Sequence, residues 1–415
     1  MTKTHLILFF SALYIIGITV SPALLSISMF GLAVAALVHF PDPKSWIPAP
    51  DWRSIDQLIH PWRYPVLSVT GVLFLIVLLS GVQGGDLQYW LERLRIKLPL
   101  LVIPLMFLMF PRLAGRQVRS LYYLLIILMS FLCLGIGVNY ALHAEAINTS
   151  IKQGQPMPTP GNHIRFSLIL AYTVVCGIYL YQKNFYWKFR WERKLILGLS
   201  LFLFLFMHFL SVRSGLLAMY SAILVMSLSY AFNTKKYWIV VGAIALITIL
   251  PVLAYLLVPS FRAKMEYMSY DRWKHQRNEG GLYADSGRIA SLEVGWEIFK
   301  LHPLIGVGTG HMQQAVDQTF QTKYPLVPHP LMPHNQLLYA AASWGIIGLA
   351  VFLWAFFYPL FYQRNYRRPL ILVSYTLFFA MCMLEHNLET TVGIAFYSFF
   401  LCLLLQPYYA DGHRT

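Results

Sequence analysis

Apolar residues run along this chain in long blocks, separated only by short polar stretches as far as about residue 260. Because a backbone in lipid must satisfy its own hydrogen bonds, and because the blocks lack two-residue alternation, the pattern predicts helices rather than a barrel. At about 20 residues per crossing, it predicts an all-α polytopic membrane protein with about twelve transmembrane helices. Their expected positions are residues 5–20, 22–40, 65–82, 97–111, 120–141, 163–182, 194–212, 214–232, 237–258, 334–361, 370–386 and 390–408.

One long polar segment, residues 260–333, interrupts this pattern between two apolar blocks. It carries arginines, histidines, tryptophans and ordered glycines that a plain bundle of spanning helices does not need. We therefore expect it to perform chemistry or recognition at the membrane surface. The segment divides the chain into residues 1–259 with the first nine spans, a large loop with amphipathic helices at 260–333, and residues 334–415 with the last three spans and the C-terminus.

The basic residues predict the orientation of these spans. With the N-terminus inside, alternate short loops are rich in Lys and Arg, and the opposite loops are poor in them except at Arg93, Arg95 and Lys97. This pattern places both termini in the cytoplasm and residues 260–333 in the periplasm. The basic residues of the predicted cytoplasmic loops are Arg112, Arg116, Arg119, Lys183, Lys188, Arg190, Arg193, Lys194, Lys235, Lys236, Arg364, Arg367 and Arg368.

Composition agrees with a membrane protein and excludes other classes. Hydrophobic residues make up 58% of the chain and charged residues 12%, which is unsuited to a soluble globular protein. The net charge of +15 follows from the loop asymmetry and favours contact with anionic membrane lipids. No nucleic-acid partner is expected, because the basic residues are dispersed over short loops on both sides of the membrane. The four cysteines lie in apolar runs and form no disulfide framework.

Two helices are expected inside the polar segment. Residues 262–278 mix methionine and tryptophan with charges, which is typical of a helix lying at the membrane interface. A second helix opens with Ser286 or Asp285 as its N-cap and ends at His302-Pro303. Its apolar stripe at helical spacing is predicted to be Ile289, Leu292, Trp296 and Phe299.

The polar segment offers no recognisable metal or cofactor site. The run Gly306-Val307-Gly308-Thr309-Gly310 predicts a glycine turn, because no strand precedes it as a dinucleotide loop requires. His329 and His334 lack a clear third ligand. The external segments also contain no Asp-x-Asp pair to hold Mg²⁺ or Mn²⁺ beside a pyrophosphate. We expect neither a metal nor a cofactor.

Three basic residues stand out by position. Arg213 lies between the seventh and eighth spans, where a charge needs a partner or an aqueous cleft. Arg288 lies in the first turn of an external helix, where backbone N–H groups favour an anion. His334 begins the tenth span beside Asn335. Taken singly, each has a structural explanation: a lipid-headgroup contact, a surface ion pair with Asp285, and a helix-capping or interfacial histidine.

In combination, these residues belong to a set of motifs. Arg213 is followed after three residues by Leu217, and an SGR tripeptide ends at Arg288. Trp296 follows this tripeptide, and the sequence HPLIGVGTG then spans 302–310. Further along, His334-Asn335 is followed after nine residues by Gly345-x-x-Gly348. Together with the predicted layout, these motifs resemble the O-antigen ligase family of lipopolysaccharide assembly, within the O-antigen polymerase and ligase superfamily.

The resemblance implies a GT-C-like glycosyltransferase of the inner membrane of a Gram-negative bacterium. Such an enzyme moves O-antigen polysaccharide from undecaprenyl pyrophosphate to a sugar hydroxyl of lipid A–core on the periplasmic face. Arg213 and Arg288 are the expected contacts to the developing pyrophosphate charge, since guanidinium groups bind it bidentately. His334 is the expected base for the acceptor hydroxyl. Asn335 would orient the histidine or the acceptor.

Further residues are expected to bind substrate. Arg165, at the start of the sixth span, is a candidate phosphate contact, and Glu385 and Glu389 would pair with an arginine or position the acceptor. Two related activities use the same donor and stay open: O-antigen polymerase and protein O-oligosaccharyltransferase. A transporter is the alternative from another class, but it should carry ionisable residues at mid-span, and these spans are nearly free of charge.

Overall fold

The computed structural model describes residues 2–39, 49–51, 64–276, 284–325 and 330–409 of the chain, and these residues are almost entirely helical. A single antiparallel pair, β1 (Val38–His39) with β2 (Ala49–Pro50), follows the second helix. The α-helices are α1 (Lys3–Val20), α2 (Pro22–Leu37), α3 (Pro65–Ser80), α4 (Leu87–Lys97), α5 (Pro99–Met109), α6 (Gly115–Lys152), α7 (His163–Gln182), α8 (Glu192–Leu210), α9 (Arg213–Thr234), α10 (Trp238–Leu257), α11 (Pro259–Gln276), α12 (Ala284–Leu301), α13 (Met312–Lys323), α14 (Gln336–Phe361), α15 (Pro369–Leu384) and α16 (Thr391–Tyr409).

The helices are those of a polytopic membrane protein. Within the described residues, eight helices are long and apolar enough to cross a bilayer: α1, α3, α6, α7, α8, α9, α10 and α14. Three shorter apolar helices lie at Pro22–Leu37, Pro369–Leu384 and Thr391–Gln406. Each predicted span coincides with a helix, but the fourth corresponds to α5, which has only 11 residues. The total of twelve therefore stays a prediction.

Helix α6 is longer than its predicted span of 120–141. It has 38 residues and continues to Lys152, with a kink at His143, where the backbone leaves helical geometry at φ −130° and ψ 30°. The part beyond the kink carries Ile147 and Ile151 into the core. Because of this extension, the end of α6 reaches the polar segment and packs against α11.

The start of α12 is capped by the preceding helix. The Asp271 carboxylate accepts the backbone N–H of Ser286 at 3.1 Å and its hydroxyl at 2.8 Å. Ser286 thus lies inside the first turn, and its prediction as the N-cap was wrong. The side chain of Asp285, the other predicted cap, lies outside the described residues. As expected, α12 ends at Leu301, just before His302-Pro303.

The predicted apolar stripe of α12 faces outward. Ile289, Leu292 and Trp296 are 44%, 37% and 51% exposed, and Phe299 is half-buried. Helix α12 packs instead through its other face, and the contact at Gly295 is especially close. A Cβ on Gly295 would meet Pro333, so this contact leaves no room for large residues. The buried face of α12 comprises Ala290, Ser291, Val294, Gly295 and Ile298.

The helical backbone of α14 is interrupted inside its candidate membrane span, and the glycine turn forms hydrogen bonds with the backbone at the interruption. Gly345 has φ 67° and ψ −170°, a conformation available essentially only to glycine. The turn around Gly306 and Gly308 supplies partners to the backbone groups freed by the break. The four bonds are Val307 N–H to Ala342 O at 3.1 Å, Gly308 N–H to Ser343 O at 2.9 Å, Ile346 N–H to Pro303 O at 2.8 Å, and Ile347 N–H to Leu304 O at 3.3 Å. The two glycine motifs are therefore one interlocked structure.

Candidate functional site

Three of the predicted site residues, Arg213, Arg288 and His334, line one cavity of about 350 Å³. The cavity lies where the end of α6, the start of α7, the turn between α8 and α9, helices α11 and α12, and the approach to α14 meet. Lys264 and His163 line it as well. Among the described residues that form its wall, none is acidic, so the cavity is suited to an anion.

A tight turn places Arg213 in the cavity wall. Helix α8 ends at Ser211, which adopts the left-handed conformation at φ 57°, and α9 begins at Arg213 without a side-chain cap. Ser214 also lines the cavity, so the first turn of a 22-residue helix faces it. Uncapped N–H groups and the helix dipole favour negative charge at this point.

Arg288 is held by a carboxylate from another part of the chain. Its Nη2 donates a hydrogen bond to Oε1 of Glu385 at 2.7 Å, and the two side chains are 28% and 11% exposed. Glu385 directly follows α15, so the pair joins α12 to the end of a membrane helix. The sequence-based expectation that Glu385 pairs with an arginine is met here, and Arg288 keeps an exposed part that lines the cavity.

His334 lies beside Arg288 and is held by Ser291. The Ser291 hydroxyl is 3.1 Å from Nδ1 of His334 and accepts its backbone N–H at 3.3 Å. Burial lowers the pKa of His334, and the positive charge of Arg288 lowers it further, whereas Glu385 and the Met332 carbonyl oppose the shift. The imidazole is therefore biased toward its neutral form, which is the form that can accept a proton.

Asn335 is the N-cap of α14. Its Oδ1 accepts the backbone N–H groups of Leu337 and Leu338 at 2.9 and 3.0 Å, and its Nδ2 donates to Met383 O at 3.0 Å. These three hydrogen bonds use both the oxygen and the nitrogen of the side-chain amide within the protein. In the described residues Asn335 thus fixes the direction in which the chain leaves His334 and enters α14.

None of the four predicted substrate-binding residues lines this cavity: Asn335 and Glu385 contact its neighbours, and Arg165 and Glu389 lie elsewhere. Arg165 lines a separate cavity of about 80 Å³ and is near enough to Glu385 for their charges to interact. Glu389 accepts hydrogen bonds from Lys97 at 2.5 Å and from Gln336 at 2.8 Å. The side chains of Glu389 and Lys97 are 2% and 3% exposed, so this pair joins α4 to the segment before α16 within the core.

An apolar groove adjoins the cavity at Arg213. It has a volume of about 540 Å³, and Arg213 belongs to the walls of both. The groove is bounded by α9, α10 and α11. Its other lining residues are Leu216, Leu217, Tyr220, Pro251, Val252, Tyr255, Phe261 and Met265.

The chain matches a family model over residues 198–353, and the description of that family is O-antigen ligase. The matched residues contain the turn before α9, the long polar segment and most of α14, which carry Arg213, Arg288, His334 and the interlocked glycines. The end of α6 and the start of α7, which also line the cavity, lie outside the match. This match supports membership of the chain in the O-antigen ligase family. No curated protein matches the chain.

The O-antigen ligase match separates the predicted site residues into two groups. Arg213, Arg288, His334 and Asn335 fall within the matched residues. Arg165, Glu385 and Glu389 fall outside them. Glu385 nevertheless contacts the first group directly, because α15 returns to the same end of the bundle as α12.

Sequence reasoning missed His163 and Lys264, which line the cavity, and His386, which contacts His334. The His386 ring packs edge-on against His334, with ring centres 5.4 Å apart, and burial lowers the pKa of His386 to about 4. Its position next to Glu385 was the available signal. Lys264 donates to Gly154 O at 3.3 Å and was hidden among the charges of α11. The signal for His163 was its position two residues before the candidate Arg165.

Within the described residues, no three His, Cys, Asp or Glu side chains lie close enough to hold a metal ion. His329, the second histidine of the proline-rich approach to α14, lies outside the described residues. Metal independence therefore stays a prediction, which rests on the missing acidic motif.

Proposed function

We propose that this member of the O-antigen ligase family transfers O-antigen polysaccharide from undecaprenyl pyrophosphate to a sugar hydroxyl of lipid A–core. The reaction takes place at the periplasmic face of the inner membrane of a Gram-negative bacterium, in a twelve-span, GT-C-like enzyme. The observation that carries the proposal is the meeting of Arg213, Arg288 and His334 around one cavity without an acidic lining residue.

The donor is bound through its pyrophosphate and through its polyprenyl chain. The pyrophosphate takes up the cationic cavity, where Arg213 and Arg288 offer charge-assisted hydrogen bonds in a fork geometry that suits phosphate oxygens. The polyprenyl chain follows the apolar groove of α9, α10 and α11. Arg213 borders both spaces and so marks the point at which headgroup and tail join.

Transfer is a single displacement at the anomeric carbon of the polysaccharide. The acceptor hydroxyl oxygen forms a bond to this carbon while the bond to the pyrophosphate oxygen breaks, and His334 takes the hydroxyl proton. Undecaprenyl pyrophosphate leaves with the bonding electron pair. Arg213 and Arg288 stabilise this departing charge more strongly than the charge of the bound donor, which is the condition for lowering the barrier.

The acceptor distinguishes the ligase from the related activities. The family match extends to ligase and polymerase-type activity, and both would use the same donor cavity. Ligase activity is favoured by the HN-x9-GxxG and Arg-x3-Leu elements, which resemble the ligases. The proton acceptor and the pyrophosphate contacts stay the same for each acceptor.

Deletion of the gene in its own host tests the proposal. We expect full-length polysaccharide to accumulate on the lipid carrier while the cell surface shows bare lipid A–core. Core capped with a single repeat unit would instead identify a polymerase. Intact lipopolysaccharide with sugar-free glycoproteins would identify a protein glycosyltransferase. Complementation with the His334→Ala variant, checked for membrane insertion, would show whether the cavity performs the transfer.

A further inference from the structure

The Ser291 hydroxyl contacts both Arg288, the proposed leaving-group contact, and His334, the proposed base. The residue is completely buried on α12, one turn after Arg288. Its Oγ lies 2.8 Å from the carbonyl oxygen of Arg288, 3.1 Å from Nδ1 of His334 and 3.3 Å from the backbone nitrogen of His334. A serine hydroxyl has one proton to donate and two lone pairs that accept.

The protons at these three contacts can be counted. The Arg288 carbonyl can only accept, and the backbone N–H of His334 can only donate. The shortest of the three contacts therefore uses the single hydroxyl proton, as serines in helices commonly do with a carbonyl one turn earlier. The remaining lone pair then faces Nδ1 of His334, and a hydrogen bond forms there only if Nδ1 carries a proton.

We infer that Ser291 is a positioning residue that holds neutral His334 as its Nδ1–H tautomer and thereby leaves Nε2 as the proton-accepting atom. The role of Nε2 as base rests on the proposed function, whereas the tautomer itself does not. A histidine in the other tautomer would present an N–H to the acceptor hydroxyl and could not take its proton.

The arrangement also couples the arginine to the base. Arg288 presents its guanidinium to the leaving group, and its own carbonyl receives the hydroxyl proton that determines the protonation of Nδ1. One helical turn of α12 thus carries the leaving-group contact and the support of the base. The groups around the His334 ring are Ser291, Arg288, Glu385, His386 and the Met332 carbonyl.

Nitrogen-15 NMR of protein with labelled histidine, in lipid nanodiscs at pH 7.5, tests the tautomer directly. The chain has 13 histidines, so the His334 signals are assigned by difference from the His334→Gln variant. We expect a protonated Nδ1 and an unprotonated Nε2. A wild-type spectrum with the proton on Nε2 would overturn the inference, whatever the enzyme's activity.

The Ser291→Ala variant tests the cause. We expect its His334 signals to move toward the Nε2–H tautomer. We also expect kcat to fall about tenfold or more with the KM for the donor unchanged, since a general base raises a reaction rate about a hundredfold to ten-thousandfold. Ser291→Thr keeps the hydroxyl and should keep the wild-type tautomer. Ser130 is the matched control, because it is buried and its hydroxyl bonds the Ile126 carbonyl at 2.7 Å with no histidine contact. Ser130→Ala should leave both readouts unchanged.

Two results separate this inference from the proposed function. An unchanged tautomer in a folded Ser291→Ala protein would overturn the role of Ser291. Undiminished transfer by His334→Ala would instead remove the histidine from the proposed mechanism, while the spectrum would still decide the tautomer. Should Ser291→Ala fail to fold, the wild-type and Ser291→Thr spectra decide the matter.

Discussion

Arg288 and Glu385 form an ion pair at 2.7 Å between α12 and the end of α15. The carboxylate orients the guanidinium, and the exposed part of Arg288 still faces the cavity. A negative group this close to a pyrophosphate site is unfavourable unless it acts through the arginine. We therefore treat Glu385 as a residue that positions Arg288.

We predict that Arg288→Ala lowers the transfer rate about a hundredfold, or about 3 kcal/mol, because it removes a contact to the departing charge. Arg288→Lys should recover only part, since lysine lacks the fork geometry. Arg213→Ala and His334→Ala should cause comparable losses in protein that is still inserted. Rates are measured with purified enzyme, lipid-linked polysaccharide and lipid A–core.

A double-mutant cycle tests the coupling to Glu385. Glu385→Ala alone should reduce the rate about tenfold, and the double variant with Arg288→Ala should be no slower than Arg288→Ala alone. Independent, multiplying losses would mean that Glu385 acts on the acceptor directly. Glu297→Ala is the control, because it breaks the exposed Lys300–Glu297 pair on the same helix and should have no effect.

The pH dependence of transfer should show a fully active enzyme at neutral pH. Burial and the charge of Arg288 lower the pKa of His334 from its ordinary value of about 6.5, so the base-competent neutral form persists below that pH. We expect kcat to be constant from pH 8 to about 6.5 and to fall only at more acidic pH. A midpoint above 6.5 would contradict this assignment, and the residual activity of His334→Ala should lack the acidic limb.

The orientation of the chain can be tested with single cysteines. The four native cysteines are buried and should give little background. We predict that Ser269→Cys and Thr322→Cys, both at exposed positions of the polar segment, react with an impermeant thiol reagent in intact spheroplasts. Thr234→Cys, at the predicted cytoplasmic end of α9, should react only after lysis. The reverse labelling pattern would place the cavity on the cytoplasmic side.

Gly345→Ala should destabilise the protein by about 2 kcal/mol or more. A side chain there must adopt a backbone conformation that costs on the order of 1–3 kcal/mol, and its Cβ would also overlap the Leu304 backbone. Gly242→Ala, in α10, is the control, since its Cβ would meet nothing within 4 Å. Thermal unfolding in detergent should separate the two variants. Equal melting temperatures would show that the break in α14 is not required.

Transfer should need no divalent ion. This prediction rests on the absent Asp-x-Asp motif and on the cationic residues that line the cavity. Purified enzyme and substrates should react at an undiminished rate in excess EDTA. A block by EDTA that added Mg²⁺ or Mn²⁺ reverses would point to acidic ligands that have gone unrecognised, with Glu385 the first to examine.

The positions of the membrane helices were predictable because long apolar runs leave the backbone no other structure in lipid. That pattern did not predict that Arg213, Arg288 and His334 lie around one cavity. Only the resemblance of the motifs to a known family led us to expect it. Residues far apart in sequence meet because α12 packs on α14 and because the α8–α9 turn is tight.

Other features were hidden for identifiable physical reasons. The large apolar residues of α12 did not reveal its buried face, because the helix packs too closely at Gly295 for a side chain there. The break at Gly345 lies within a continuous apolar run, and glycine is tolerated in membrane helices, so nothing local indicated it. The Lys97–Glu389 pair joins residues nearly 300 positions apart, and no periodicity reveals such a contact.

The exchange of backbone hydrogen bonds between the glycine turn and α14 limits how hybrid enzymes can be built. A graft of residues 260–333 from a related protein would place a foreign turn against the native break at Gly345. The four hydrogen bonds would then have to form between two backbones of different origin. The smallest segment that can be transplanted intact therefore continues past the loop to Gly348. It consists of the water-facing part together with the first half of a membrane helix.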